Sequence, residues 1–320
     1  MKRPLRWGIL GTGNIARKFA GQLPQSRGAE LAAVGSRSAE SAARFAGEFG
    51  GTARAGYEAL LADPAVEAVY ISLPNALHRE WTIRSLEAGK HVLCEKPIAS
   101  SAAEAGEMFD AARRSGRLVA EAFMYRCHPA VERFIRTVRD GAIGRLKLVR
   151  THFTFNRPAS ADDVRYQPGL AGGSLMDVGC YCINLARALA GAEPTAMHAV
   201  AHRHATGVDD YAAGTLSFDG EVLGCFTCGM TVEADRTTYA CGSEGYAVID
   251  CPWFGAGTFT LVKAGQRETV ETKAPRDLYA LEAEAFAAAV HDGVPFPVSA
   301  ADTLGNMRVL DELRKQIGPS

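Results

Sequence analysis

The chain has 320 residues, 47% of them hydrophobic and 22% charged, a globular balance that excludes disorder and low-complexity function. Its 35 basic and 36 acidic side chains leave a formal charge of -1, which excludes the electrostatic footprint of a dedicated nucleic-acid or anionic-membrane binder. At this length one hydrophobic core usually stops growing, so about two domains are expected.

Before Gly11 there is no apolar stretch of the kind a secretory signal needs, and no segment approaches the roughly 18 apolar residues of a membrane span. The eight cysteines are too sparse for a disulfide scaffold. They are expected to be buried and reduced, and the chain to be cytoplasmic.

Up to residue 122, short apolar runs (Leu5–Leu10, Ala29–Val34, Ala68–Ser72, His91–Cys94, Leu118–Ala122) alternate with helically spaced segments (Ile15–Leu23, Ala39–Phe49, Arg79–Ala88, Ala102–Arg114). This α/β rhythm predicts a doubly wound parallel sheet, a Rossmann dinucleotide-binding domain over residues 1–122. Its first strand runs into Gly11-Thr12-Gly13-Asn14-Ile15-Ala16. In G-x-G-x-x-A the first Gly permits a tight turn, the second lets the backbone approach a pyrophosphate, and the small third residue lets helix and strand pack closely. The second strand ends Val34-Gly35-Ser36-Arg37, without the acid that would hold a ribose 2′-OH. Ser36 and Arg37 can instead receive a 2′-phosphate, which favours NADP(H) over NAD.

Leu73-Pro74-Asn75-Ala76-Leu77-His78 follows the next strand; Asn75 can cap the following helix, and His78 can reach the cofactor. The run His91-Val92-Leu93-Cys94-Glu95-Lys96-Pro97 puts Glu95 and Lys96 beyond a strand's carboxyl end, where ligands of open α/β sheets bind. Lys96 is a candidate proton-relay or electrostatic group, or one half of a surface ion pair with Glu95.

Residues 123–320 are assigned to a second, substrate-binding and oligomerisation domain. A helix (Pro129–Arg139) and a long strand (Leu146–Phe155) precede a polar loop, Asn156–Ala171, in which Arg157, Asp162, Asp163, Arg165 and Tyr166 are expected to line a substrate cleft. After Gly172-Gly173 a helix is predicted over Ser174–Ala190. On it, Asp177 and Tyr181 stand four apart and so share a face. A tyrosine can exchange a proton with a substrate oxygen if an ammonium lowers its pKa; Lys96 could supply that charge, and Asp177 could orient a hydroxyl. From Ala196 to Val270, strand-like segments separated by Gly-containing turns predict a large, open, mainly antiparallel sheet, and helices over Leu278–Val290 and Ala301–Lys315 close the chain. Cys180 and Cys182, Cys225 and Cys228, and His202 and His204 have spacings that invite a metal. None has a matching second ligand pair, so no metal is expected.

Gly11–Ala16, Pro74-Asn75-Ala76-Leu77-His78, Glu95-Lys96-Pro97 and Gly172–Tyr181 together resemble the Gfo/Idh/MocA oxidoreductases over essentially the whole chain. Glu121–Pro129, Arg203–Asp210 and Phe226-Thr227-Cys228 are similar to the branch with dimeric dihydrodiol dehydrogenase and NADP-dependent D-xylose dehydrogenase. The resemblance implies catalytic roles for Lys96 and Tyr181, assisted by Asp177, in hydride transfer between nicotinamide and a hydroxyl-bearing carbon of a sugar or cyclic diol. Cofactor contacts are expected from Gly11, Thr12, Gly13, Asn14, Ile15, Ser36, Arg37, Leu73, Asn75, His78, Glu95 and Lys96. Substrate contacts are expected from Arg126, Arg165, Tyr166 and Asp177. A homo-oligomer built on the C-terminal sheet is also implied. Many members carry His where Tyr181 stands, and tyrosine there fits the dihydrodiol/xylose branch; an NADPH-dependent keto-sugar reductase or inositol dehydrogenase is an alternative, as is a dinucleotide-sensing regulator without turnover.

Overall fold

The computed structural model describes residues 3–157, 160 and 163–318. Asp162, expected in the cleft loop, lies outside the described residues. Two compact units are present: Met1–Cys127 with Pro275–Thr303, and His128–Ala274 with Leu304–Ser320.

The first unit holds six parallel strands: β1 (Leu5–Leu10), β2 (Ala29–Ser36), β3 (Thr52–Ala55), β4 (Ala68–Ile71), β5 (His91–Glu95) and β6 (Val119–Ala122). Their order is β3-β2-β1-β4-β5-β6, so the topology reverses between β1 and β4. Helices α1 (Asn14–Gln22), α2 (Ala39–Phe49), α3 (Tyr57–Leu61), α4 (His78–Glu87) and α5 (Ala102–Ser115) connect them. Ser38 caps α2 by accepting the Ser41 N–H, and Ser101 caps α5 by accepting that of Glu104. β3 is half-exposed at the sheet edge and lacks an apolar run, so neither it nor α3 is evident from the sequence pattern.

The second unit begins with α6 (Pro129–Arg139), whose first-turn proline and His128 cap fix its start. Its sheet comprises β7 (Leu146–Thr154), β8 (Pro194–Arg203), β9 (Asp209–Phe218), β10 (Val222–Gly229), β11 (Thr238–Gly242), β12 (Gly245–Ile249), β13 (Thr258–Lys263) and β14 (Gln266–Glu271). The order is β14-β13-β12-β11-β7-β10-β9-β8; pairing is antiparallel except between β7 and β10, which run parallel. α7 (Cys180–Ala190) packs against β7 and β10, burying Ile183, Leu185 and Leu189.

The closing helices divide between the units. α8 (Leu278–Asp292) belongs with the first unit, although a single boundary near residue 122 would place it in the second. Its Phe286 ring lies 5.2 Å from Trp7, and its Tyr279 N–H donates to Gln22 at 2.9 Å. Helical spacing shows that α8 has a face to bury, but not which sheet that face covers. α9 (Ala300–Ile317) lies mostly in the second unit, where Asn306 donates to the Cys180 carbonyl at 3.2 Å.

Candidate active site

At the end of β1, Gly11 has φ +101° and donates its N–H to the Gly35 carbonyl at 3.0 Å. A side chain there would be strained and would crowd Ser72. Gly13 caps α1 with no side chain covering the helix end, no acid occupies the first turn, and a Cβ at Gly13 would meet nothing within 4 Å. The N–H groups of Asn14 and Ile15 thus open a nine-residue helix at an uncovered, positively polarised end. Thr12 sits between the glycines, and Ala16, fully buried, lets α1 settle on the sheet. This cradle fits the pyrophosphate of a dinucleotide.

Beyond β2, Ser36 is buried, its hydroxyl oxygen 3.3 Å from the Ser38 N–H. Arg37 is exposed and hydrogen-bonds Tyr57, its guanidinium pulling down a phenol pKa that burial raises overall. The nearest following acid, Glu40, is paired with Arg44 within α2. The serine and arginine fit a 2′-phosphate, and no carboxylate stands there to repel it.

The ends of β4 and β5 differ in detail from expectation. Leu73 is nearly buried. Asn75 opens a short 3-10 turn, Asn75–Leu77, and α4 starts only at His78 behind Leu77, so Asn75 is not the helix cap. His78 is completely buried, its ring nitrogens 2.8 Å from the Leu73 carbonyl and 2.9 Å from that of Pro97. Its two ring nitrogens face carbonyls of the β4 and β5 loops, so the ring braces the two loops against each other. Burial lowers its pKa, and the two carbonyls oppose that shift. Glu95 is buried too, accepting the Tyr70 hydroxyl and, at 3.2 Å, the Lys96 N–H. Lys96 itself is half-buried at the strand's carboxyl end, ahead of a cis peptide to Pro97. Arg126 makes an ion pair with Asp302 at 3.0 Å and donates toward the Pro297 carbonyl, so its guanidinium is already engaged inside the first unit.

In the second unit the predicted helix opens with a π-turn, Leu175–Gly179, before α7. One extra residue in a turn re-phases the rest of the helix by roughly 100°, so Asp177 and Tyr181 are not related by a plain i, i+4 step. Between Ala171 and Arg187, Asp177 alone keeps partial exposure. Its carboxylate lies 3.9 Å from Arg165, whose guanidinium is gripped by Asp163 at 2.6 and 2.8 Å and lies over the Phe155 ring. The Tyr181 ring is buried edge-on to Phe153, at 5.2 Å, and to Trp253, at 5.7 Å. Trp253 is anchored by its indole N–H on the His152 carbonyl at 2.9 Å. Tyr166, expected to line the cleft, is buried beside Val208 and Met230 and donates its hydroxyl to the Arg157 carbonyl at 3.0 Å. It packs the loop.

His202 pairs with Asp210 at 2.7 Å and stacks on Tyr211, whereas His204 lies past the end of β8 against Tyr166. Among the described residues no three His, Cys, Asp or Glu side chains converge as a metal site, and all eight cysteines are free thiols. Sequence reasoning missed Phe153 and Trp253 around Tyr181, and Asp209 beneath the π-turn. Phe153 approaches from β7, Asp209 from β9 and Trp253 from the turn after β12, through tertiary packing that local spacing does not encode.

Residues 5–123 match the family model described as "Oxidoreductase family, NAD-binding Rossmann fold", and residues 131–248 match the "GFO/IDH/MocA C-terminal domain". The chain is 37% identical over 314 residues to D-xylose 1-dehydrogenase (NADP(+)) 2 of Haloferax volcanii, covering 97% of this chain and 96% of that protein. It is 37% identical over 272 residues to trans-1,2-dihydrobenzene-1,2-diol dehydrogenase of Mus musculus, covering 82% and 79%. Among solved structures, the 3-ketoreductase KijD10 of Actinomadura kijaniata, in complex with NADP and TDP-benzene, superposes with a TM-score of 0.91 at 31% identity, covering 98% of each chain.

Proposed function

Because the chain belongs to the Gfo/Idh/MocA oxidoreductase family, we propose that it is an NADP-dependent enzyme moving hydride between nicotinamide and a hydroxyl-bearing carbon of a sugar or cyclic diol. The observation that carries this reading lies at the carboxyl ends of β1, β2 and β5. There the uncapped glycine turn, the acid-free Ser36–Arg37 pair and Lys96 stand at one edge of a sheet that reverses beside them. When bound, the cofactor supplies the hydride acceptor or donor. Gly11, Thr12, Gly13, Asn14 and Ile15 present main-chain groups to its pyrophosphate, and Ser36 and Arg37 hold the 2′-phosphate. In the oxidative direction Tyr181 takes the hydroxyl proton as the carbonyl forms. Lys96 supplies a positive charge at the carboxyl end of β5, and Asp177, steered by Arg165, orients a substrate hydroxyl.

The likeness to a 3-ketoreductase favours, as a second reading, the same chemistry run as NADPH-dependent reduction of a keto sugar. Val200, Tyr211 and Leu223 share one exposed face of β8, β9 and β10, which supports a homo-oligomer built on that face. Among the described residues no helix is long and apolar enough to cross a membrane. Eight free thiols support a reducing, cytoplasmic setting. The test is absorbance at 340 nm with NADP⁺ and NAD⁺ against aldoses, inositols and a cyclic trans-diol, and with NADPH against keto sugars. Turnover with one class, preferring NADP(H) and abolished in Tyr181→Phe, is expected. Tight NADPH binding with no turnover in either direction would instead favour a dinucleotide sensor.

A further inference from the structure

The start of the helix bearing Asp177 and Tyr181 is held from outside the helix. Asp209, at the first position of β9 and 2% exposed, turns its carboxylate into the helix end. One oxygen, Oδ2, accepts both the Ser174 hydroxyl and the Leu175 N–H, each at 2.7 Å. First-turn N–H groups have no partner within their own helix, so Asp209 acts as a cap supplied by another strand. Burial raises its pKa, and the two donors oppose that rise.

The neighbouring residues are shaped around this contact. Gly173 has φ +109°, and a Cβ there would lie 2.2 Å from Asp209 Oδ1. A Cβ at Gly172 would lie 2.4 Å from the Arg165 carbonyl, which accepts the Gly173 N–H at 2.9 Å. At the far end of the turn, a Cβ at Gly179 would press on Leu175 at 2.9 Å and on Cys228 Sγ at 3.1 Å. A π-turn forms a poorer helix than an α-turn and persists where surrounding structure imposes it. Here the imposing groups are Asp209 at one end and Asn306, on the Cys180 carbonyl, at the other.

We propose that Asp209 is a positioning residue: by pinning Ser174 and Leu175 it maintains the π-turn, and the turn sets the orientation of Tyr181 relative to Asp177. The proposal rests on the reading of Asp177 and Tyr181 as the proton-handling pair. Asp209 touches neither substrate nor cofactor in this scheme and acts only through the helix. Misplacing reacting groups by about 1 Å costs on the order of 100-fold in rate, so the expected loss of kcat on removing the cap is roughly 10- to 100-fold.

The test compares Asp209→Ala, Asp209→Asn and the milder Ser174→Ala with the unaltered chain. It follows kcat and KM, NADPH affinity, and alkylation of Cys180 and Cys228 mapped by mass spectrometry. Both thiols are buried against this turn, so they report its opening without reference to activity. Asp209→Ala is expected to lower kcat at least tenfold, leave NADPH affinity within about threefold, and speed alkylation of both cysteines. Asp209→Asn keeps an oxygen for the Leu175 N–H and is expected to recover most of kcat; Ser174→Ala, losing one donor, is expected to fall between. Should Asp209→Ala fail to fold, an unchanged kcat in Ser174→Ala despite faster alkylation would overturn the proposal. Unchanged kcat in Asp209→Ala, with or without faster alkylation, would overturn it as well. Full turnover in Tyr181→Phe would instead remove the underlying reading, and is recognised separately because the alkylation differences would persist.

Discussion

Glu282 is the most exacting internal test of the first unit. It lies on α8, fully buried, and among the described residues neither carboxyl oxygen has a hydrogen-bond partner. Its surroundings include Glu95, Tyr70, Tyr279 and Cys127, each itself buried or nearly so. Burial, reinforced by the negative charge of Glu95, pushes the Glu282 pKa well above the usual carboxyl range, so the folded chain keeps a proton that the unfolded chain gives up near pH 4.5. Above that pH the unfolded state binds fewer protons, and stability falls as pH rises by about 1.4 kcal/mol per unit until the native pKa is reached. Glu282→Gln keeps the shape and removes the titration. Urea unfolding of both proteins at pH 5.5, 6.5 and 7.5 should therefore show the variant gaining steadily on the parent as the pH rises. A stability difference that stays constant with pH would refute the argument, since Glu282 would then titrate alike in both states.

Three other outcomes follow from local geometry. Arg37→Ala is expected to weaken NADPH binding roughly 10- to 100-fold, the worth of charge-assisted hydrogen bonds to a phosphate, while NADH binding changes less than about threefold; titration calorimetry with both cofactors decides. His91 accepts the Leu118 N–H at 3.0 Å through Nδ1, and burial beside Arg117 lowers its pKa to about 4, so the folded state resists a proton that the unfolded state takes up below pH 6.5. Stability is therefore lost as pH falls from 6.5 toward 4, by about 2 kcal/mol after solvent screening of a half-buried ring. His91→Gln, which keeps an acceptor without the titration, should flatten that acid limb in thermal melts from pH 7 to 4. Gly173→Ala, which demands a side chain at φ +109° and 2.2 Å from Asp209, is expected to cost about 3 kcal/mol or more; an unchanged melting temperature would mean that the turn is not built as described.

How far these elements are legible in sequence depends on how local their causes are. The glycine turn after β1, the caps at Ser38 and Ser101 and the acid-free end of β2 all arise from residues within a few positions of one another. The split of the last two helices does not, because an apolar helix face fits either sheet until Phe286 meets Trp7. Among the candidate site residues, the polar side chains were visible but their engagements were not. His78 faces two carbonyls, one of them nineteen residues away, and Tyr166 spends its hydroxyl on a carbonyl nine residues back. The π-turn is the clearest case. A sequence step of four implies a shared helical face, yet Asp209, thirty-four residues beyond Leu175, fixes a turn in which that rule fails.

The most direct measurement of the central claim is NADPH affinity set beside turnover in Lys96→Met and Tyr181→Phe. Both variants are expected to lose at least about 100-fold in kcat, with NADPH affinity within about threefold of the parent in Tyr181→Phe and only modestly weaker in Lys96→Met, which gives up one of several expected cofactor contacts. Turnover close to the parent's in either variant would contradict the assignment of that residue to the chemistry.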